Sequence, residues 1–143
     1  SNLKLWIVGK NIPQKLKEIG GKNVIFDENA SDDTSDIFKN SYILLAPLRV
    51  GGGTSYKILE AMASGVPVIT TALGSEGLAA ENKKELIVAD TEVETIIAVK
   101  DLIQDKDLYD KIRLNARKLI EEKYNWDVIV GDLEKVYRKT IAT

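Results

Sequence analysis

Residues 46–65 read APLRVGGGTSYKILEAMASG, and this stretch decides the fold. A short apolar run, Tyr42–Ala46, reads as a strand that gives way to Pro47 and then to consecutive glycines, Gly51–Gly53. A helical pattern follows at once. Strand, glycine loop and helix start, in that order, present free backbone N–H groups to an anion. The first turn of a helix has no internal partners for its N–H groups, and the helix dipole favours negative charge there. Glycines allow close approach of the backbone and positive φ at no steric cost. Either Thr54 or Ser55 can supply the N-cap oxygen.

The helix after the loop has two faces. At ~100° per residue, Ile58, Leu59, Ala61 and Met62 fall on one side, and Tyr56, Lys57, Glu60 and Ser64 on a polar arc. Lys57 and Glu60 are three apart and so are neighbours. Two readings stand side by side. In one, a phosphate sits at the helix start near Lys57, and Glu60 accepts hydrogen bonds from ribose or sugar hydroxyls a turn further on. In the other, the loop is an ordinary connector and Lys57–Glu60 is a solvated pair. Neither the GxGxxG nor the GxxxxGK[ST] spacing is present.

Short apolar runs alternate with helical ones along the rest of the chain. Strands are expected at Leu3–Val8, Asn23–Phe26, Tyr42–Ala46, Val66–Thr70 and Glu85–Ala89. Helices are expected over Pro13–Gly20, up to Lys39 with Thr34 or Ser35 as cap, from Thr91 or Glu92 to about Gln104, over Leu108–Lys123 and over Trp126–Ile141. This alternation predicts an α/β, Rossmann-like, doubly wound parallel sheet. Ligands of such sheets bind beyond the carboxyl ends of the strands, where Gly9–Asn11, Asp27–Asp33, the glycine loop and Thr71–Gly77 would gather. Lys10 reads as a surface lysine, Asp32-Asp33 as a capping or solvated loop, and Glu76 as a cleft or turn residue. Trp126, in helical register with Ile129, Val130 and Leu133, reads as core packing.

The run Pro47-Leu48-Arg49-Val50-Gly51-Gly52-Gly53-Thr54, followed by Lys57-Ile58-Leu59-Glu60-Ala61-Met62-Ala63-Ser64-Gly65-Val66-Pro67-Val68-Ile69, resembles the donor-binding segment of group 1 (family 4) retaining glycosyltransferases. Gly74-Ser75-Glu76-Gly77-Leu78 and Tyr124-Asn125-Trp126 fit the same family. These enzymes have the GT-B fold, two Rossmann-like domains with the active site between them. The resemblance spans residues 1–143 but corresponds to the C-terminal, nucleotide-sugar-binding domain only. The family's opening strand unit, whose Arg and Lys hold the pyrophosphate, and its N-terminal acceptor domain have no counterpart in this sequence, and Ser1-Asn2 looks like a cleaved-tag scar. The resemblance implies that Glu60 binds the nucleotide ribose. Backbone groups of Gly51, Gly52, Gly53, Thr54 and Ser55 would hold phosphate, and Lys57 phosphate or sugar. The family's usual pair of glutamates eight positions apart is broken, because Gly52 stands where the first would be. This chain resembles the branch written P-x-R-x-G-G-G-T-x-x-K-x-x-E, in which the backbone of Gly52–Thr54, or Lys57, would replace that group.

The implied reaction moves a sugar from a nucleoside diphosphate sugar, UDP-sugar favoured, to a carbohydrate or lipid-linked acceptor hydroxyl with retention, as in polysaccharide biosynthesis. It implies no cofactor, no essential metal and no catalytic residue within this chain, which alone would not transfer sugar. The alternative is a non-catalytic Rossmann-like module that binds a nucleotide or a protein partner. That module would keep the glycine loop and have no need of Glu60.

Composition narrows the classes. The chain has 143 residues, 44% of them hydrophobic, enough for one domain with a real core. Its net charge of −2 suggests no nucleic-acid or anionic-membrane partner. It contains no Cys and no His, which rules out disulfides, thiol or Ser–His catalysis and His- or Cys-ligated zinc within this sequence. No apolar run approaches the ~18 residues that span a bilayer. A cytoplasmic location is expected, with any peripheral membrane contact made through the missing domain.

Overall fold

In the computed structural model, which describes residues 3–31 and 33–141, strands and helices alternate. The order is β1 (Leu5–Val8), α1 (Gln14–Glu18), β2 (Val24–Asp27), α2 (Thr34–Lys39), β3 (Leu44–Ala46), α3 (Tyr56–Ala63), β4 (Val68–Thr70), α4 (Ala72–Ser75), β5 (Ile87–Val88), α5 (Glu92–Gln104), α6 (Lys106–Lys123) and α7 (Trp126–Ile141). Ser1, Asn2 and Asp32 lie outside the described residues. The chain forms two compact units, the second beginning within α2 at Phe38.

In the first unit β1 and β2 pair in parallel, with Leu5 opposite Val24 and Val8 opposite Asp27. Gly9 extends the ladder by donating to the Asp27 carbonyl at 3.1 Å. Glu28, just past β2, accepts from the Ile12 N–H at 2.8 Å and pairs with Lys17 of α1. Those contacts, the Lys17 hydrogen bond first, hold the Glu28 carboxyl below its ordinary range. Asp33 accepts from the Ser35 N–H at 2.9 Å, so the capping oxygen of α2 is that of Asp33 rather than of Thr34 or Ser35.

In the second unit β3, β4 and β5 form a parallel sheet in that order. Every residue of β4 is buried, as a central parallel strand requires. Successive side chains of a strand point to opposite faces, and the core divides accordingly. Val68 joins Phe38, Ile58, Ala61, Met62, Leu86, Ala116 and Leu119 in one cluster. Ile69 joins Ile87, Ala89, Ala98, Leu102 and Ile112 in the other. Helix α3 thus packs one face and α5 the other, while α6 feeds both through Ala116, Leu119 and Ile112. The expected α/β parallel architecture is observed, with every strand but β2 shorter than the apolar run that announced it and β2 shifted by one residue.

Helix ends follow side-chain chemistry. Asp105 accepts from the Leu108 N–H at 2.9 Å and starts α6 two residues earlier than the apolar pattern suggests. Helix α4 was not foreseen; Thr71 caps it by accepting from the Gly74 N–H at 3.2 Å. Helix α7 has the expected limits, but the core role of Trp126 is overturned. Trp126 is 76% exposed, and Ile129, Val130 and Leu133 are 40–52% exposed. The register of the stripe is right. Amphipathicity names the face a helix offers for burial, not whether anything covers it.

Thr91 and Glu94 close a reciprocal capping box on α5: the Thr91 hydroxyl accepts from the Glu94 N–H at 3.2 Å, and the Glu94 carboxylate accepts from the N–H groups of Thr91 and Asp90, each at 2.9 Å. These bonds, the Thr91 N–H foremost, hold the Glu94 carboxyl below its ordinary 4.5. A depressed carboxyl stabilises the fold above its unfolded pKa, and the contribution drains away as pH falls through the folded value. Glu94→Gln should therefore lower the urea midpoint at pH 7 and shrink its acid-induced loss between pH 5 and 3 relative to wild type. Thr91→Ala should cost about 1 kcal/mol.

Candidate functional site

The chain leaves β3 at Ala46, turns at Pro47 with the Leu48 N–H donating back to the Ala46 carbonyl at 2.8 Å, and enters the glycine loop. Two threonines at the end of β4, its last residue Thr70 and the next, Thr71, hold this exit in place. Thr70 donates to the Ala46 carbonyl at 2.8 Å, and Thr71 to the Leu48 carbonyl at 2.6 Å. Further along, Thr54 donates to the Gly77 carbonyl at 3.2 Å. A Cβ on Gly77 would stand 3.2 Å from the Thr54 hydroxyl and 3.4 Å from its N, so this close contact suits glycine, as does φ of +77°. Asp90, after β5, accepts from the Ala72 N–H at 2.8 Å. The loops after β3, β4 and β5 are thus linked side by side at the carboxyl edge of their sheet. The glycine loop and Thr71–Gly77 meet as the fold predicts, whereas Gly9–Asn11 and Asp27–Asp33 belong to the other unit.

Within the loop, Gly51 and Gly53 have φ of +140° and +82°, conformations that side chains rarely adopt. Helix α3 begins at Tyr56 with Ser55 in the N-cap position, but no side chain caps it. The expectation that Thr54 or Ser55 supplies the capping oxygen is corrected here, since the Thr54 hydroxyl is directed to Gly77. The Ser55 carbonyl accepts from Ile58 and Leu59 at 3.1 and 3.2 Å. Among the described residues, the N–H groups from Gly51 through Lys57 donate to no protein acceptor.

The rotation of α3 is fixed by burial. Ile58, Ala61 and Met62 are all 0% exposed, which leaves Tyr56, Lys57, Glu60 and Ser64 outward, on the arc read from the sequence. Neither Lys57 nor Glu60 is engaged by a side-chain hydrogen bond or ion pair among the described residues, so the Lys57–Glu60 pair of the alternative reading is not formed. At the far end, Gly65 at φ +72° closes a Schellman motif, with Val66 donating to Ala61 at 2.9 Å and Gly65 to Met62 at 3.1 Å. Arg117 of α6 donates to the Ala63 carbonyl there.

Thr70 and Asp90 were missed as residues that shape the site, and Thr71 was placed at the edge without its role in holding the loop. Their pattern was nonetheless present: Thr and Asp directly after apolar runs, and the Thr91-x-x-Glu94 box after Asp90. A recess of about 430 Å³ lined by Tyr42, Gly65, Lys106, Tyr109, Asp110 and Arg113 lies at the amino ends of β3 and β4. It is therefore on the opposite edge from the glycine loop, and its size alone does not outweigh the chemistry of the loop.

The sequence model for Glycosyl transferases group 1 matches residues 1–105. The chain belongs to that family. It is 31% identical over 117 residues to the capsular polysaccharide biosynthesis glycosyltransferase CapM of Staphylococcus aureus, covering 80% of this chain and 30% of that protein. It is 26% identical over 142 residues to a 44.6 kDa protein of the Klebsiella pneumoniae cps region, covering 94% and 37%. It spans about a third of the length of these curated relatives. Among solved structures, the C-terminal domain of a group 1 family glycosyl transferase from Francisella tularensis aligns with TM-score 0.65 at 27% identity, over 79% of this chain and 60% of that one. Anabaena HepE in complex with UDP aligns with TM-score 0.78 at 16% identity, over 96% and 41%, a likeness of fold. The fold of this group 1 chain is thus the Rossmann-like α/β domain of GT-B glycosyltransferases.

Gly74 tests the packing behind the site. A Cβ there would stand 2.0 Å from the Thr70 hydroxyl and 3.4 Å from Leu48. Gly74→Ala should destabilise by roughly 1–3 kcal/mol or more. Gly131→Ala, in the open on α7, should stabilise by about 0.4–1 kcal/mol. Thermal melts of the two variants should move in opposite directions.

Proposed function

We propose that this chain is the donor-binding domain of a family 4-type retaining glycosyltransferase that moves a hexosyl group from a nucleoside diphosphate sugar, UDP-sugar first, to an acceptor hydroxyl. One observation carries the reading: among the described residues the backbone N–H groups of Gly51–Lys57 have no protein acceptor, and the outward Lys57 and Glu60 flank them on α3. The family, and the structure of Anabaena HepE, a protein of this fold, in complex with UDP, support it.

In this reading the backbone of Gly51–Ser55 and the start of α3 receive the diphosphate. As the glycosidic bond breaks, negative charge grows on the leaving diphosphate. Oriented N–H groups and Lys57 stabilise that charge without needing to reorganise, the task a cation performs elsewhere. Lys57 serves phosphate or sugar. Glu60, one turn along, accepts two hydrogen bonds from the ribose diol. The acceptor and the second wall of the cleft come from the rest of a longer enzyme, so the 143-residue chain alone does not transfer sugar. The enzyme works in the cytoplasm, in polysaccharide biosynthesis, without cofactor or metal. Among the described residues no helix is long and apolar enough to cross a membrane.

NMR titration of the chain with UDP, GDP and ADP should perturb Gly51–Glu60 with roughly millimolar affinity; no perturbation there would remove the site assignment. In the complete enzyme Glu60→Ala should cost about 1.5–3 kcal/mol in donor kcat/KM and leave the melting temperature nearly unchanged, since Glu60 is exposed and Ala favours helix. Unchanged donor kinetics would sink the ribose role.

A further inference from the structure

Between Pro47 and Leu59 the chain carries two cations, Arg49 and Lys57, and no carboxylate. The backbone at Arg49 is anchored, because the adjoining Leu48 carbonyl accepts from Thr71. Its side chain is exposed and makes no hydrogen bond or ion pair among the described residues. Two other guanidinium groups of the second unit are tied down, Arg113 to Asp110, and Arg117 to Glu121 and the Ala63 carbonyl; Arg138 of α7, like Arg49, makes no hydrogen bond or ion pair among the described residues, but it lies far along the chain from the glycine loop. Arg49 is therefore a held stem with an uncommitted fork, two residues ahead of Gly51. A guanidinium matches two phosphate oxygens at once, which Lys57 does not. A sugar-linked diphosphate carries two negative charges, and Lys57 supplies one countercharge.

Gly52 adds a second, independent observation. Gly51 and Gly53 are explained by positive φ, but Gly52 lies outside that region. A Cβ on Gly52 would meet nothing within 4 Å, so packing does not require glycine either. Neither positive φ nor packing accounts for this glycine, and its open, Cβ-free backbone gives room for close approach by something outside the chain.

Resting on the donor-binding reading above, we propose that Arg49 is a further ligand of the donor's diphosphate and that the diphosphate passes directly over the Gly52 backbone.

The test is NMR titration of the 143-residue chain and of its Arg49→Gln and Gly52→Ala variants with UDP, GDP and ADP and with uridine, guanosine and adenosine, alongside thermal melts. For the diphosphate that binds wild type, Arg49→Gln should raise Kd about tenfold, with the affinity of the matching nucleoside and the melting temperature unchanged. Gly52→Ala should likewise weaken the diphosphate alone. An Arg49→Gln variant that keeps diphosphate affinity, or loses nucleoside affinity equally, overturns the role of Arg49. A Gly52→Ala variant that binds as wild type, or melts markedly lower, overturns the passage over Gly52. A wild-type chain that binds none of the three diphosphates at Gly51–Glu60 overturns the donor-binding reading itself, and this proposal with it.

Discussion

The burial of one face of α3 is the interaction on which the site depends. Ile58, Ala61 and Met62 are completely withdrawn from water among Val68 of β4 and Ala116 and Leu119 of α6. Burying a side chain of Ile or Met size is worth about 1.5–3 kcal/mol each, far more than the few tenths available to an exposed Lys–Glu pair. The helix therefore cannot rotate to satisfy Lys57 or Glu60, and their outward direction follows from the core. A polar residue aimed at solvent by apolar packing keeps its direction whether or not a ligand is present, which is the preorganisation that binding and transition-state stabilisation require.

The second constraint is parallel pairing. Each parallel strand must be re-entered from the same end, so the loops after β3, β4 and β5 collect at one edge. Short strands alone would leave those loops loose. Here Thr70, Thr71, Thr54 and Asp90 fasten each to its neighbour through side-chain hydrogen bonds, Thr70 between the ends of β4 and β3 and the others between the loops beyond them. Gly74 belongs to the same fastening, since only a residue without Cβ lets α4 sit against the Thr70 hydroxyl. The glycine loop is consequently held at its entry and at Thr54 while Gly51–Gly53 between them remain open to solvent.

Most of this was legible in the sequence because period and punctuation agreed. Strand, glycines, amphipathic helix, Gly65 and the Val66–Thr70 run each point to the same unit. What was not legible depended on contacts distant in the chain. The Thr54 hydroxyl could equally have capped α3, and only the position of Gly77, 23 residues on, directs it elsewhere. Helix α4 is too short to show a period, and its existence rests on the Thr71 cap. Trp126 shows the opposite failure. Its register with Ile129, Val130 and Leu133 was read correctly, but burial needs a facing surface that no local pattern reports.

The unequal treatment of the two ends of α3 follows from the same division. Its C-terminus is closed by the Schellman bonds at Gly65 and Val66 and by Arg117, so the carbonyls there are spent on stability. Its N-terminus has no side-chain cap, although Thr54 and Ser55 both stand within reach in sequence. A missing cap costs about 0.5–2 kcal/mol, a loss that the buried face of α3 can absorb. A helix stabilised at one end and along one face can leave its other end uncapped without unravelling, and the N–H groups so released are the ones at the sheet edge where an anionic ligand would arrive.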